Sequence, residues 1–148
     1  MGLFTRKKNN FKRMKEFAEV VTDYTTKFNQ LQEGYNSTMD FLDSQKHIQG
    51  AESIIEETKI NYASMAEILY DEVEKQIEKY KKELSKLNAR KDTMVSAESR
   101  EEATALSGAI TELMNISEKI AKLKAKILGE SENNSNKNKE EDQPAGPQ

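Results

Sequence analysis

Between Met1 and Asp142 the chain contains no proline, and through most of that run apolar residues return every three or four positions. Proline breaks helix interiors, and a three-to-four spacing is the period at which a helix buries one stripe. Together these features restrict the chain to long α-helices.

Composition sets how thick such a fold can be. Apolar residues make up 35% and charged residues 33%, against about 45–50% and about 25% in ordinary globular domains. That balance suits narrow seams between helices. The expected fold is all-α, an elongated antiparallel helical hairpin or three-helix, coiled-coil-like bundle with a disordered C-terminal tail. Each section of such a rod would be two helices thick, with little sharing of one core. Burial within one chain would then fall short, and a second copy or a protein partner would complete it.

The first helix is read from Met14, Val21, Phe28, Tyr35 and Leu42 at a spacing of seven, with Phe17, Tyr24 and Leu31 at the matching offset of three. Phe11 extends this stripe backwards. Gly34 and the polar run Asn36, Ser37, Thr38 interrupt it, and a break is expected there, with Ser37 or Thr38 capping the next helix.

The second helix carries Phe41, Ile48, Ile55, Tyr62 and Leu69 at spacings of seven, then Val73, Ile77, Tyr80, Leu84 and Leu87. The step from Leu69 through Val73 to Ile77 is a stutter, which locally unwinds a supercoil. Asp71 with Lys75, Glu78 with Lys82 and Lys79 with Glu83 are spaced for ion pairing along the helix. Gly50 marks a kink or a second break.

The pattern lapses between Asp92 and Ser99, where a reversal is expected, with Ser99 and Glu102 as a capping box and Ser96 as the competing cap. The third helix shows Leu106, Leu113, Ile120 and Ile127 in one register and Ala109, Ile116 and Leu123 in another. Gly129 is the expected residue just past its C-terminus. The predicted helices therefore span about 11–33, 38–90 and 99–128. They form a helical domain over 14–128, between a basic, partly flexible segment 1–13 and a polar tail 129–148 expected to be disordered because it cannot repay the entropy of ordering.

Little in this pattern points to chemistry. There is no cysteine and one histidine, His47, so thiol chemistry is excluded and a zinc site has too few ligands. His47 follows Asp43 by four residues, which would place both on one helical face, but no second His or Cys completes a site. Glu56 with Glu57, Asp71 with Glu72 and Glu101 with Glu102 are adjacent pairs that diverge by about 100° on a helix and make a solvated face. The interior glycines Gly34, Gly50 and Gly108 stand alone and form no phosphate loop. No catalytic residue, cofactor, metal or small-molecule substrate is expected.

Two groups of residues remain as interaction candidates. The first is the helix-packing seam of Val73, Ile77, Tyr80, Leu84 and Leu87 against Leu106, Leu113, Ile116, Ile120 and Leu123. The second is the N-terminus, where Leu3, Phe4 and Phe11 alternate with Arg6, Lys7, Lys8, Lys12 and Arg13. Residues 1–15 carry six cations and no acid, residues 16–128 a net −6 and residues 129–148 a net −3. Such a start can meet an anionic membrane or the phosphates of a nucleic acid. Over fewer than ten residues it resembles the membrane-facing start of helical membrane-remodelling proteins, and no pattern in the helices beyond extends that likeness. Position 6 is Arg6, so the Gly2 myristoylation motif is absent.

The start lacks the apolar run of a secretory signal, and no stretch approaches the roughly 20 apolar residues that span a bilayer. Abundant Lys, Asn and Glu suggest an AT-rich bacterial or phage genome. The function expected is a non-enzymatic scaffold, assembly or adaptor protein that self-associates or holds a protein partner. It would work in the cytoplasm, or in the virion if the source is a phage. The alternatives are a peripheral membrane protein and, less favoured, a nucleic-acid-binding accessory protein, each using the basic N-terminal arm.

Overall fold

Three helices build the chain, α1 (Gly2–Ser44), α2 (Ala51–Lys91) and α3 (Ala97–Ala145). This computed structural model describes the backbone of residues 2–91 and 97–145, and the side chains of 10–89, 97 and 99–129. The helices have 43, 41 and 49 residues. At 1.5 Å per residue each is roughly 60–75 Å long.

Paired contacts fix the topology. Phe17 meets Tyr80, and Tyr35 meets Tyr62. The two contacts lie eighteen residues apart on each helix, so α1 and α2 are antiparallel and in register over five turns. Ser117 with Glu74 and Lys124 with Glu67 set α3 antiparallel to α2. Asn10 with Glu101 brings the start of α1 beside the start of α3. The result is an up-down-up three-helix bundle whose most extensive interface joins α2 to α3.

The first turn lies further along the chain than the sequence suggested. α1 runs unbroken through Gly34 and Thr38 to Ser44, and the reversal occupies residues 45–50. Burial of Tyr35 and Met39 on the same face as Phe28 and Leu31 outweighs the cost of about 1 kcal/mol for a glycine within a helix. Thr38 caps nothing; its hydroxyl lies 3.2 Å from the Tyr62 hydroxyl. The turn is closed by backbone donors, Gln45 to Leu42 and Ile48 to Gln45, both at 3.0 Å. Gly50 adopts φ +88°, a left-handed conformation that costs other residues about 1–2 kcal/mol. Its carbonyl accepts from Ile54 and starts α2. Phe41 and Ile48, expected in the seam of α2, instead end α1 and sit in the turn, both exposed.

Moving the turn lengthens α1 enough to cover nearly all of α2, and this changes the core. All three helices contribute to one continuous buried cluster, where two-layered sections with separate cores were expected. Along α2 the stutter holds, with Leu69, Val73 and Ile77 all buried at steps of four. α3 buries three positions per seven residues, exemplified by Ile110, Leu113 and Ile116, because it faces α1 and α2 together. Each fully buried Leu, Ile, Val or Phe contributes about 1.5–3 kcal/mol.

Both ends of the expected helical domain also shift. Residues 2–13 are part of α1, since neither proline nor glycine interrupts residues 3–33. Ser99 lies within the first turn of α3, so it is not the cap. Ser96, and the reversal over 92–96, lie outside the described residues. Buried side chains of α3 end at Ile127, but the helix passes through Gly129 to Ala145, with Gly129 at negative φ and no C-terminal cap there. Nothing in the backbone stops it, because the next proline is Pro144. The side chains of 130–145 and all of 146–148, where tail disorder was expected, lie outside the described residues.

Candidate functional site

The seam residues lie together. Val73, Ile77, Tyr80 and Leu87 of α2 and Leu106, Leu113, Ile116, Ile120 and Leu123 of α3 are buried in the common cluster, with Leu84 packed against it. They face one another within the chain, so they hold the bundle and leave no apolar seam free for a partner. Charged side chains flank this seam. Glu67 and Glu74, seven residues apart on α2, accept from Lys124 and Ser117, seven residues apart on α3; the Ser117 bond is 2.8 Å.

The N-terminal cations divide into two sets. Arg13 turns inward: Nη2 donates to Glu83 of α2 at 2.6 Å and Nη1 to Glu16 at 3.0 Å. Its guanidinium also lies 4.8 Å over the Phe17 ring. Burial opposes its charge, but the field of Glu83 and the bonds to Glu16 and Glu83 outweigh it and hold Arg13 above its ordinary pKa. Arg13 is therefore a staple between α1 and α2, not the free contact residue expected. Glu83, expected to pair along α2 with Lys79, is its partner. Lys12, Phe11 and Lys15 face solvent, with Phe11 72% exposed, so Phe11 does not extend the buried stripe. The side chains of Leu3, Phe4, Arg6, Lys7 and Lys8 lie outside the described residues.

A second exposed set is one that sequence reasoning missed. Ile54, Met65 and Ile68 of α2 are 53%, 51% and 62% exposed, and steps of eleven and three place them within about 60° on the helix, over roughly 21 Å. Met65 and Glu83 are eighteen residues apart and so share one azimuth. Because Glu83 reaches α1 while Glu67 and Glu74 reach α3, this stripe runs along the α1 flank of α2, away from α3. Phe41, one turn beyond Thr38 on α1 and also exposed, stands toward the same side near the turn. The signal was present as three large apolar residues out of phase with the seam, but seam periodicity hides residues that do not belong to it.

Concave features are slight. The hollows lined by Asp71 to Lys86 and by Lys15 to Asp23 are each bordered by one helix alone, so nothing closes over them. A groove of about 300 Å³ lies between Tyr70 of α2 and Ile120, Ala121 and Leu128 of α3. His47 is exposed in the turn and not on a helical face with Asp43; Asp43 lies 3.6 Å from Lys46 instead. Among the described residues no group of three or more His, Cys, Asp or Glu is placed to hold a metal ion, and no helix is long and apolar enough to cross a membrane.

No family model, no curated protein and no solved structure matches this chain.

Proposed function

We propose that this protein is a non-enzymatic scaffold or assembly protein that works by helix-to-helix association, with a second copy of itself as its first partner. The observation that carries this reading is the stripe of Ile54, Met65 and Ile68. A chain with only 35% apolar residues leaves three large aliphatic side chains aligned and more than half exposed. An aligned apolar stripe on an α-helix is what a helix-in-groove or helix-to-helix contact uses. Two copies related by a two-fold axis would bring the stripe of one α2 against the other, each burying the same residues.

The experiment is light scattering on the full chain, with circular dichroism as the control for folding. Wild type is expected to have more than the mass of one chain. The double variant Met65→Glu with Ile68→Glu is expected to have the mass of one chain and unchanged helicity, because neither residue supports the core. A wild-type protein with the mass of one chain sinks the self-association reading.

A further inference from the structure

Folding collects positive charge that is dispersed in the sequence. Residues 1–15 carry +6 and residues 79–91 carry +5, from Lys79, Lys81, Lys82, Lys86, Arg90 and Lys91 against Glu83, while the remainder carries −14, which together make the net −3. The antiparallel register set by Phe17 and Tyr80 places the two basic segments side by side. The first residues of α3, 97–102, lie at the same end and carry −2, so this pole nets +9 and the rest of the chain −12.

Three acids near this pole have partners within the bundle, and Glu102 adds its field at Arg13. Glu83 and Glu16 accept from Arg13, and Glu101 accepts from Asn10. Lys12, Lys81, Lys82 and Lys86 are exposed, as is Lys15, which lies 4.0 Å from Glu19. Beside Lys12 and Lys15 on the outer side of α1 stands Phe11, the most exposed of the large apolar side chains described. Phe4 and Lys8 precede Phe11 and Lys15 by seven residues each, so the pairing of aromatic and cation repeats toward the start of the helix.

We infer that this basic pole docks on an anionic lipid surface, with Phe11 entering the headgroup boundary and the flanking lysines meeting lipid phosphates and carboxylates. Cations alone would suit any polyanion, but a phenyl ring held in water beside them gains nothing from a duplex's phosphate backbone and gains free energy where an apolar layer lies beneath the charge. Each lysine near such a surface adds about 1 kcal/mol, and the α2 lysines strengthen the field that draws the pole in. This inference does not rest on the stripe of α2, and the variants that test the two do not overlap.

The test is co-sedimentation of the full chain with vesicles of phosphatidylcholine, alone or with about 30% phosphatidylserine, enough to give a negative surface potential. Binding is expected only to the anionic vesicles. Phe11→Ala should weaken partitioning about tenfold, the value of one aromatic side chain partly removed from water. Lys12→Glu with Lys15→Glu should weaken it by about thirtyfold or more. The chain has no tryptophan, so Phe11→Trp supplies a single fluorophore whose emission should shift to the blue with anionic vesicles. Circular dichroism of each variant should match wild type, since these positions are exposed. Absence of binding to anionic vesicles overturns the inference. So does binding that Phe11→Ala leaves unchanged; if duplex DNA is then bound with equal strength, the pole is a nucleic-acid site instead.

Discussion

Phe17 of α1 and Tyr80 of α2 meet edge to face, their ring centroids 5.2 Å apart and their planes at 74°. Both are almost fully buried, and the contact joins the two helices about thirty residues of helix away from where the chain reverses at 45–50. Arg13 completes the cluster, lying over the Phe17 ring and donating to Glu83, one turn from Tyr80. An aromatic pair of this geometry is worth about 0.5–1.5 kcal/mol beyond its area.

The Arg13–Glu83 pair is partly exposed, so its value is that of a good surface bridge and not of a buried one. A double-mutant cycle of Arg13→Ala and Glu83→Ala should give a coupling of about 0.5–1 kcal/mol in urea unfolding, falling as salt is raised. Arg13→Lys should lose much of this stability, because an ammonium cannot bond two carboxylates through a planar fork while covering a ring. A coupling near zero at low salt would show that the staple contributes nothing.

Two glycines should respond in opposite directions to alanine. Gly50 has φ +88° with open space around its Cα, so Gly50→Ala is expected to cost about 1–2 kcal/mol from backbone strain alone. Gly108 lies inside α3 with nothing within 4 Å of an added Cβ, and Gly108→Ala should add about 1 kcal/mol. Thermal melts followed at 222 nm read both, and a Gly50→Ala variant more stable than wild type would contradict the placement of the turn.

Alkaline pH should loosen the bundle. Burial, reinforced by Glu83, raises the Tyr80 phenol above its ordinary value of 10.0, and burial, with Glu72 and Asp23, does the same for Tyr24. Above about pH 10 the unfolded chain releases these protons while the folded chain retains them, so stability falls as pH rises. Tyr80→Phe removes one such group and should lose less stability between pH 9 and 11 than wild type. Equal losses in denaturant titrations at the two pH values would assign the effect to other groups.

The parts legible in the sequence are those carried by local periodicity. Heptad spacing in Phe17, Leu31 and Tyr35, the 69–73–77 stutter and the double register of α3 all correspond to buried positions, because a helix needs only its own spacing to define a buried face. The first turn was misread because Gly34 and Asn36–Thr38 are poor helix formers locally. Gly34 lies against the Tyr62 hydroxyl, which an added Cβ would approach to 3.3 Å, so its small size serves close packing and not chain reversal. Local propensity differences of about 1 kcal/mol yield to burial of several side chains, and no single-sequence signal reports that burial.

By itself the sequence determined that this protein is helical, that its helices carry narrow apolar seams and that its N-terminus is cationic. Only the tertiary structure decided which glycine turns the chain, which arginine leaves the cationic set to bind Glu83, and which apolar residues face water. Those outcomes depend on the antiparallel alignment of residues far apart in the chain, as with Arg13 and Glu83. The same alignment sets the lysines of α2 beside the first helix and turns two separate basic segments into one pole.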